Sequence, residues 1–265
     1  MIKPIPDTWR ALPRMAAQAS YTFLPEVYDL FSEDMDPIAW ADDLISRLRE
    51  AGISRGRVLD LGCGTGRISL QLARAGYDVV GIDRSEEMLR VAQERLWREG
   101  HRLPLSRQDM RSFSLHKSVD AVICACDGVN YLTDLAMVDS CFAQVARALR
   151  PGGLFLFDIS SRYKLEKRLG NDFFGEVRDE AAYLWQSSFD EARRLARMDL
   201  TLFIRGQDGR YDRGDEVHLQ RAHEVEELRA CLAGCGLGLL AVQEAFTRKA
   251  PRPDALRIQF TAVRQ

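Results

Sequence analysis

The chain predicts an α/β fold: a doubly wound, mainly parallel sheet with a C-terminal antiparallel hairpin and a small antiparallel β insertion. Three observations predict it. Between residues 57 and 158, short apolar runs alternate with amphipathic stretches of about ten to fifteen residues, the pattern of parallel strands joined by helical crossovers. A glycine-rich turn, Gly62-Cys63-Gly64-Thr65-Gly66, separates the first of these strands from the helix that follows. Beyond Asp158 the apolar period falls to two, as in Met198-Asp199-Leu200-Thr201-Leu202, and Asp208-Gly209 between two such runs marks a hairpin.

Each element follows from local residue choice. Asp36-Pro37 is an N-cap followed by proline at the first helical position, and Ala41, Leu44, Ile45 and Leu48 form one helical face that Gly52 ends. Strands are then expected at 57–61, 77–82, 103–107, 119–126 and 154–158. Helices are expected at 66–75, at 86–98 after a Ser85 cap, and at 136–149 before Pro151-Gly152-Gly153. A helix at 225–233, stopped by Gly234 or Gly236, and strands at 237–246 and 256–263 close the chain. The organisation expected is an N-terminal segment (1–35), a ligand-binding core (36–158 and 224–265), and an insertion (159–223) on the substrate side.

Composition narrows the function. The chain has 265 residues, 46% hydrophobic and 29% charged, enough for one large domain carrying an insertion. Lys+Arg 37 against Asp+Glu 39 leaves a net charge of -2, which argues against a surface built for a phosphate backbone, so no nucleic-acid partner is expected. No apolar run approaches the roughly 20 residues of a membrane span. Met1-Ile2-Lys3-Pro4-Ile5-Pro6 does not read as a secretory signal, and a cytoplasmic location is expected. Cys63, Cys124, Cys126, Cys141, Cys231 and Cys235 lack zinc-site spacing and read as small buried hydrophobes, with Cys124 and Cys126 on one face of a strand; no metal is expected.

The glycine loop presents a helix N-terminus to a ligand. Dinucleotide sites use Gly-x-Gly-x-x-Gly, whereas the sixth position counted from Gly62 is Arg67. Asp60, two residues before the loop, disfavours a diphosphate and favours a cationic ligand such as an amino acid or a sulfonium. Asp83 at the next strand end can accept ribose hydroxyls, Met88 can pack on adenine, and Asp109-Met110 can meet the adenine edge.

Residues 58–158 resemble the Rossmann-like core of class I S-adenosylmethionine-dependent methyltransferases. Asp60-x-Gly62-x-Gly64-x-Gly66 matches the family's first motif, and Val80-Gly81-Ile82-Asp83 with Ser85 and Met88 its second. Asp109-Met110 matches the adenine-contacting acidic position, and Leu149-Arg150-Pro151-Gly152-Gly153 the turn before the fifth strand. The resemblance implies S-adenosyl-L-methionine bound by Asp60, Gly62, Cys63, Gly64, Gly66, Asp83, Arg84, Met88, Asp109, Met110 and Cys126. The extra antiparallel strands are similar to those of small-molecule N-methyltransferases such as the amino-sugar enzymes. In those a tyrosine-bearing N-terminal segment closes over the cofactor, a place taken here by Tyr21 and Tyr28.

Methyl transfer needs alignment and exclusion of water, with a base only where the nucleophile carries a proton at neutral pH. Two catalytic candidates stand out. Asp127, in Cys126-Asp127-Gly128-Val129-Asn130-Tyr131, can orient an amine or serve a turn. His218 shares a strand face with Glu216 and Gln220 and is the best available base, with a solvent-facing strand edge as the other reading. His223 follows on the same strand, while His101 and His116 read as surface residues. Tyr183, Trp185 and Phe189 can form an apolar wall, and Arg193, Arg194 and Arg197 read as a solvated hairpin. The expected activity is methyl transfer to N or O of a small molecule. The alternatives are an RNA or protein acceptor, or a non-catalytic S-adenosylmethionine-binding protein; Arg67 and Asp60 disfavour a nicotinamide oxidoreductase. A homodimer through the inserted strands is possible.

Overall fold

The structure, a computed structural model, describes residues 20–32 and 36–265, so the expected N-terminal segment is seen only from Ser20 and the start of the chain lies outside the described residues. Helix α1 (Pro37–Glu50) begins where Asp36 accepts the Ile38 and Ala39 amides. The alternation then unfolds as β1 (Arg57–Leu61), α2 (Arg67–Arg74), β2 (Asp78–Asp83), α3 (Glu86–Arg98) and β3 (Leu105–Arg107). It continues with β4 (Val119–Cys124), α4 (Leu135–Ala148) and β5 (Leu149–Ser160). The insertion supplies β6 (Phe173–Val177), β7 (Ala181–Asp190), β8 (Leu195–Arg205) and β9 (Tyr211–Arg221); α5 (Val225–Gly234), β10 (Leu237–Glu244) and β11 (Arg257–Arg264) end the chain.

The main sheet runs β10-β11-β5-β4-β1-β2-β3, and β6-β7-β8-β9 form a second, antiparallel sheet. Parallel pairs join β5, β4, β1, β2 and β3, whereas β11 pairs antiparallel with both β5 and β10. The strand order reverses between β1 and β4, the crevice in which ligands of open α/β sheets bind.

Two of the differences from the expected boundaries bear on the site. Strand β4 stops at Cys124, because Cys126 (φ 60) and Asp127 (φ 56) both turn into the left-handed region. Cys124 and Cys126 therefore do not share a strand face. Strand β5 starts at Leu149, because Val119 of β4 already pairs there before a register shift that takes in Pro151-Gly152-Gly153. A π-helical turn at Lys164–Leu169 leads into the insertion and had no signal in the sequence.

Both faces of the main sheet are covered. One carries α4 and α5 over Leu59, Val122, Phe155 and Phe157; the other carries α1 and α2 over Val58, Ile123 and Leu156. Phe157 stacks between Phe155 and Phe260, each with ring centroids 4.6 Å away, and Phe142 closes the group at 5.4 Å. The insertion is tied down at both ends by Asn130. Its side-chain amide donates to the Ser160 and Arg221 carbonyls (3.0 and 2.9 Å) and its carbonyl accepts the Ser160 amide (2.9 Å). Among the described residues, no helix is long and apolar enough to cross a membrane.

Phe157→Ala is expected to lower the unfolding free energy by about 3–5 kcal/mol, read from urea denaturation. A loss below about 1 kcal/mol would show that the stack is not what unites β5 with β11.

Candidate active site

A cavity of about 570 Å³ opens at the carboxyl ends of β1 to β4. Of the residues expected to hold the cofactor, Tyr21, Tyr28, Gly62, Gly64, Asp83, Arg84, Met88, Asp109, Met110 and Cys126 line it. Gly62 (φ +78) and Gly64 (φ +53) let the backbone form the wall: a Cβ there would meet only Met110 Cε at 3.8 Å and Met88 Sδ at 4.0 Å.

Asp60, Cys63 and Gly66 stand behind this wall and are not among its lining residues. A Cβ on Gly66 would meet Ala92 Cβ at 3.1 Å, so its glycine serves the packing of α2 on α3. Cys63 is buried, with its sulfur against β2 at Gly81. Asp60 is 2% exposed and accepts the Ser69 hydroxyl at 2.5 Å. Its burial pushes the carboxyl up to about 6, against the pull of Ser69.

Asp83 accepts the Gly64 and Ser85 amides, one on each oxygen at 2.9 Å, which leaves further lone pairs for ligand hydroxyls. Burial raises its carboxyl above the ordinary range despite these bonds. Asp109 shares its carboxylate with the Arg111 guanidinium, at 2.9 and 2.6 Å, which holds it below the ordinary range. The open glycine wall, the Asp83 lone pairs and the buried Met88 thioether together fit a nucleoside carrying an amino-acid arm.

A second cavity of about 200 Å³ lies between the insertion and the N-terminal segment. Tyr183 and Trp185 line it as expected, joined by Phe31, Met198, Leu200 and Leu202, but Phe189 instead packs with Leu165, Ala196 and Ala222. Tyr21, Tyr28 and Tyr131 line both cavities and form the boundary between them. Strand β9 stands at the same boundary: Val217 and Leu219 face the larger cavity, His218 and Gln220 the smaller.

His218 is not on a solvent-facing edge. It is 6% exposed, as its strand lies against the N-terminal segment and the loop after β4. Glu216 accepts the backbone amides of Tyr21, Thr22, Phe23 and Leu24 (2.8, 3.0, 2.5 and 2.7 Å) and faces His218 Nε2 at 3.0 Å. Burial opposes its ionisation, but His218 and these amides hold the carboxyl below the ordinary range. An ionised Glu216 makes Nε2 the proton-bearing nitrogen, so Nδ1 of the neutral ring accepts from the Tyr131 hydroxyl at 2.9 Å. Tyr131 in turn accepts from Tyr21 at 2.6 Å. The result is a file of four groups, Tyr21, Tyr131, His218 and Glu216, running from the cavity boundary inward.

Asp127 lines the smaller cavity and makes no capping bond. It pairs with Arg257 at 2.8 Å and accepts the Gln220 amide at 2.7 Å. Burial pushes against ionisation, but Arg257, with help from Lys164 and Gln220, holds its carboxyl below the ordinary range. Asp158, 1% exposed, accepts the Cys126 and Asp127 amides (2.7 and 3.0 Å) and pairs with Arg257. Neither Asp158 nor Arg257 was singled out from sequence; the signal available was a carboxylate ending an otherwise apolar strand. His223 is buried and pushed down to about 4 by burial and by Arg221, which makes it a neutral packing residue. His116 is exposed and His101 half-buried. Arg193, Arg194 and Arg197 pair with neighbouring carboxylates outside both cavities.

Asp60→Asn tests the buried carboxyl. A raised pKa means that its contribution to stability is complete below the unfolded value near 3.8 and is lost as pH rises through about 6. The amide is expected to stabilise the protein by on the order of 2–3 kcal/mol at pH 8 and by little at pH 4, seen as a pH-dependent gain in Tm. An equal gain at both pH values would contradict the assignment.

Comparison with known proteins agrees with this geometry. Residues 58–153 match a family described as "Methyltransferase domain". Over 243 residues the chain is 35% identical to YqeM of Bacillus subtilis (strain 168), named as a methyltransferase, covering 91% of this chain and 96% of that protein. The crystal structure of an S-adenosylmethionine-dependent methyltransferase from Clostridium acetobutylicum is 30% identical, with a TM-score of 0.83 over 92% of this chain and 98% of that one. CalS10, an amino pentose methyltransferase from Micromonospora echinaspora solved with S-adenosylmethionine bound, is 27% identical with a TM-score of 0.70, covering 90% and 97%. A likeness that runs nearly end to end, over a sheet whose glycine loop and Asp83 wall one cavity, makes this chain a member of the class I, Rossmann-like S-adenosylmethionine-dependent methyltransferases.

Proposed function

We propose that this enzyme methylates a nitrogen or oxygen of a small molecule held in the 200 Å³ cavity. The observation that carries the reading is that the donor-side and insertion-side cavities share Tyr21, Tyr28 and Tyr131, so one wall stands between two adjoining cavities. S-adenosyl-L-methionine supplies, when bound, a methyl carbon on an already activated sulfonium leaving group.

The chain's own residues then do the rest. Asp83 would take ribose hydroxyls, Met88 and Met110 would pack against the base, and the Gly62–Gly64 backbone would meet the amino-acid arm. Asp60 acts from behind the loop as a buried carboxyl. The tyrosine rings and hydroxyl oxygens favour positive charge at the boundary, and the segment from Ser20 to Ser32 excludes water there. In this division, residues 36–158 and 224–265 are the cofactor core and 159–223 the substrate side.

The test is incubation with methyl-labelled S-adenosylmethionine and a metabolite extract fractionated by size. Label is expected in small molecules; label confined to RNA or protein would overturn the proposal. For the donor side, Asp83→Ala is expected to weaken S-adenosylhomocysteine binding by about 1–3 kcal/mol, or roughly five- to 150-fold by calorimetry. An unchanged affinity would remove Asp83 from the site.

A further inference from the structure

We infer that the acceptor is an apolar, ring-bearing molecule that presents a neutral hydroxyl at the tyrosine boundary, and that its proton leaves through Tyr131 to His218. The inference rests on the methyl-transfer reading above and adds the acceptor's chemistry.

The size and lining of the smaller cavity carry the first part. A space of about 200 Å³ admits a substituted aromatic ring, since roughly 150 Å³ of apolar cavity holds benzene. Its body is aromatic and aliphatic: Phe31 and Tyr183 meet edge to face at 4.8 Å, with Trp185, Met198, Leu200 and Leu202 beside them. Among the described lining residues Lys164 is the one cation, which is too little for a nucleotide-linked diphosphate.

The polar end carries the second part. Asp127 is the carboxylate among the lining residues, and its charge is offset by Arg257 and Gln220; Glu216, behind His218, is held by four backbone amides and the imidazole. Lys164 on the same wall offsets the Asp127 charge further, so no uncompensated anion is left there for an ammonium. A neutral hydroxyl needs no such partner but must lose a proton as it is methylated, since phenols ionise only near pH 10. The hydrogen-bonded file supplies the path. The acceptor oxygen forms its bond to the methyl carbon as the methyl–sulfur bond breaks, the electron pair staying on sulfur. Its proton passes to Tyr21, the Tyr21 proton to Tyr131, and the Tyr131 proton to His218 Nδ1, leaving an imidazolium against Glu216. Besides Glu216, Tyr21 and Tyr131 lie against this imidazole, with ring centroids 4.9 and 6.0 Å away, and Tyr28, Asp127 and Lys164 are the other titratable groups lining the same cavity. Burial raises all three tyrosines, so each hydroxyl stays protonated between turnovers.

The test uses the full chain saturated with S-adenosylhomocysteine and three probes: phenol, 4-propylphenol and 4-propylbenzylamine. By calorimetry, 4-propylphenol is expected to bind tighter than phenol by about three- to fourfold per added carbon, and Trp185→Ala to remove most of that gain without changing the affinity for S-adenosylhomocysteine. With S-adenosylmethionine at pH 7.5, 4-propylphenol is expected to give its methyl ether and the amine to give little product. His218→Gln and Tyr131→Phe are expected to lower that turnover by about 100-fold or more while leaving 4-propylphenol affinity within about twofold. The residual rate of His218→Gln should climb nearly tenfold per pH unit, because phenolate must then form in water. Failure to bind 4-propylphenol, or preferential methylation of the amine, overturns the inference and leaves methyl transfer standing. A His218→Gln profile parallel to wild type overturns the proton path. Failure of the protein to bind S-adenosylhomocysteine overturns the reading beneath both.

Discussion

One carboxylate holds the site together. Glu216 collects four consecutive backbone amides from Tyr21 to Leu24 and an imidazole nitrogen, while being 1% exposed. An ionised carboxylate withdrawn from water is costly unless its lone pairs are filled, and here the filling is done by a segment nearly two hundred residues away in sequence. The segment is tied to the core as well: Asp29 accepts the Thr65 hydroxyl and pairs with Arg95, Glu26 pairs with Arg90, and the Tyr21 carbonyl accepts the Ser85 hydroxyl. Its apolar contacts, Phe23, Leu24, Val27, Leu30 and Phe31, form a small cluster with β7 and β8, separate from the main core. Glu216, this cluster and the contacts to α2 and α3 together hold Tyr21 and Tyr28 at the boundary.

A second node fixes the other side of the boundary. Cys126 and Asp127 adopt successive left-handed conformations, each costing about 1–3 kcal/mol. Asp158 offsets that by accepting both of their amides from the end of β5, and Arg257 at the start of β11 bridges Asp158 and Asp127. Burial pushes Asp158 up even beside Arg257, which shows how far this group is from water. The turn that results brings Asn130 under the insertion and aims Tyr131 at His218. The loop after β4, the last strand of the core and the insertion thus share one hydrogen-bonded frame.

The donor half of this arrangement was legible because it is local. Gly62, Gly64, Asp83, Met88 and Asp109 each sit at the carboxyl end of a strand or in the first turn after it, so finding the strands finds the site. The same locality cannot say that the side chains or packing of Asp60, Cys63 and Gly66 lie outside the cavity lining. The acceptor half was not legible. Alternation placed Glu216, His218 and Gln220 on one face, yet whether that face met water depended on a pairing with residues 21–24 that no periodicity encodes. Arg257 was missed for the same reason: its partners lie 99 and 130 residues upstream.

The two halves also differ in what they demand of the fold. The larger cavity is built mainly at strand ends, with Ser20, Tyr21 and Tyr28 of the N-terminal segment and Val217 and Leu219 of β9 adding to its lining. The smaller cavity depends more on that segment, since Tyr21, Leu24, Tyr28 and Phe31 supply one of its walls. Glu216 links that docking to the chemistry. With the segment in place its charge is stabilised by four amides, and it pins the His218 proton on Nε2, which leaves Nδ1 open toward Tyr131. The docking of the segment and the tautomer of His218 thus depend on the same carboxylate, whose lone pairs are filled by backbone amides of the one and by the ring nitrogen of the other.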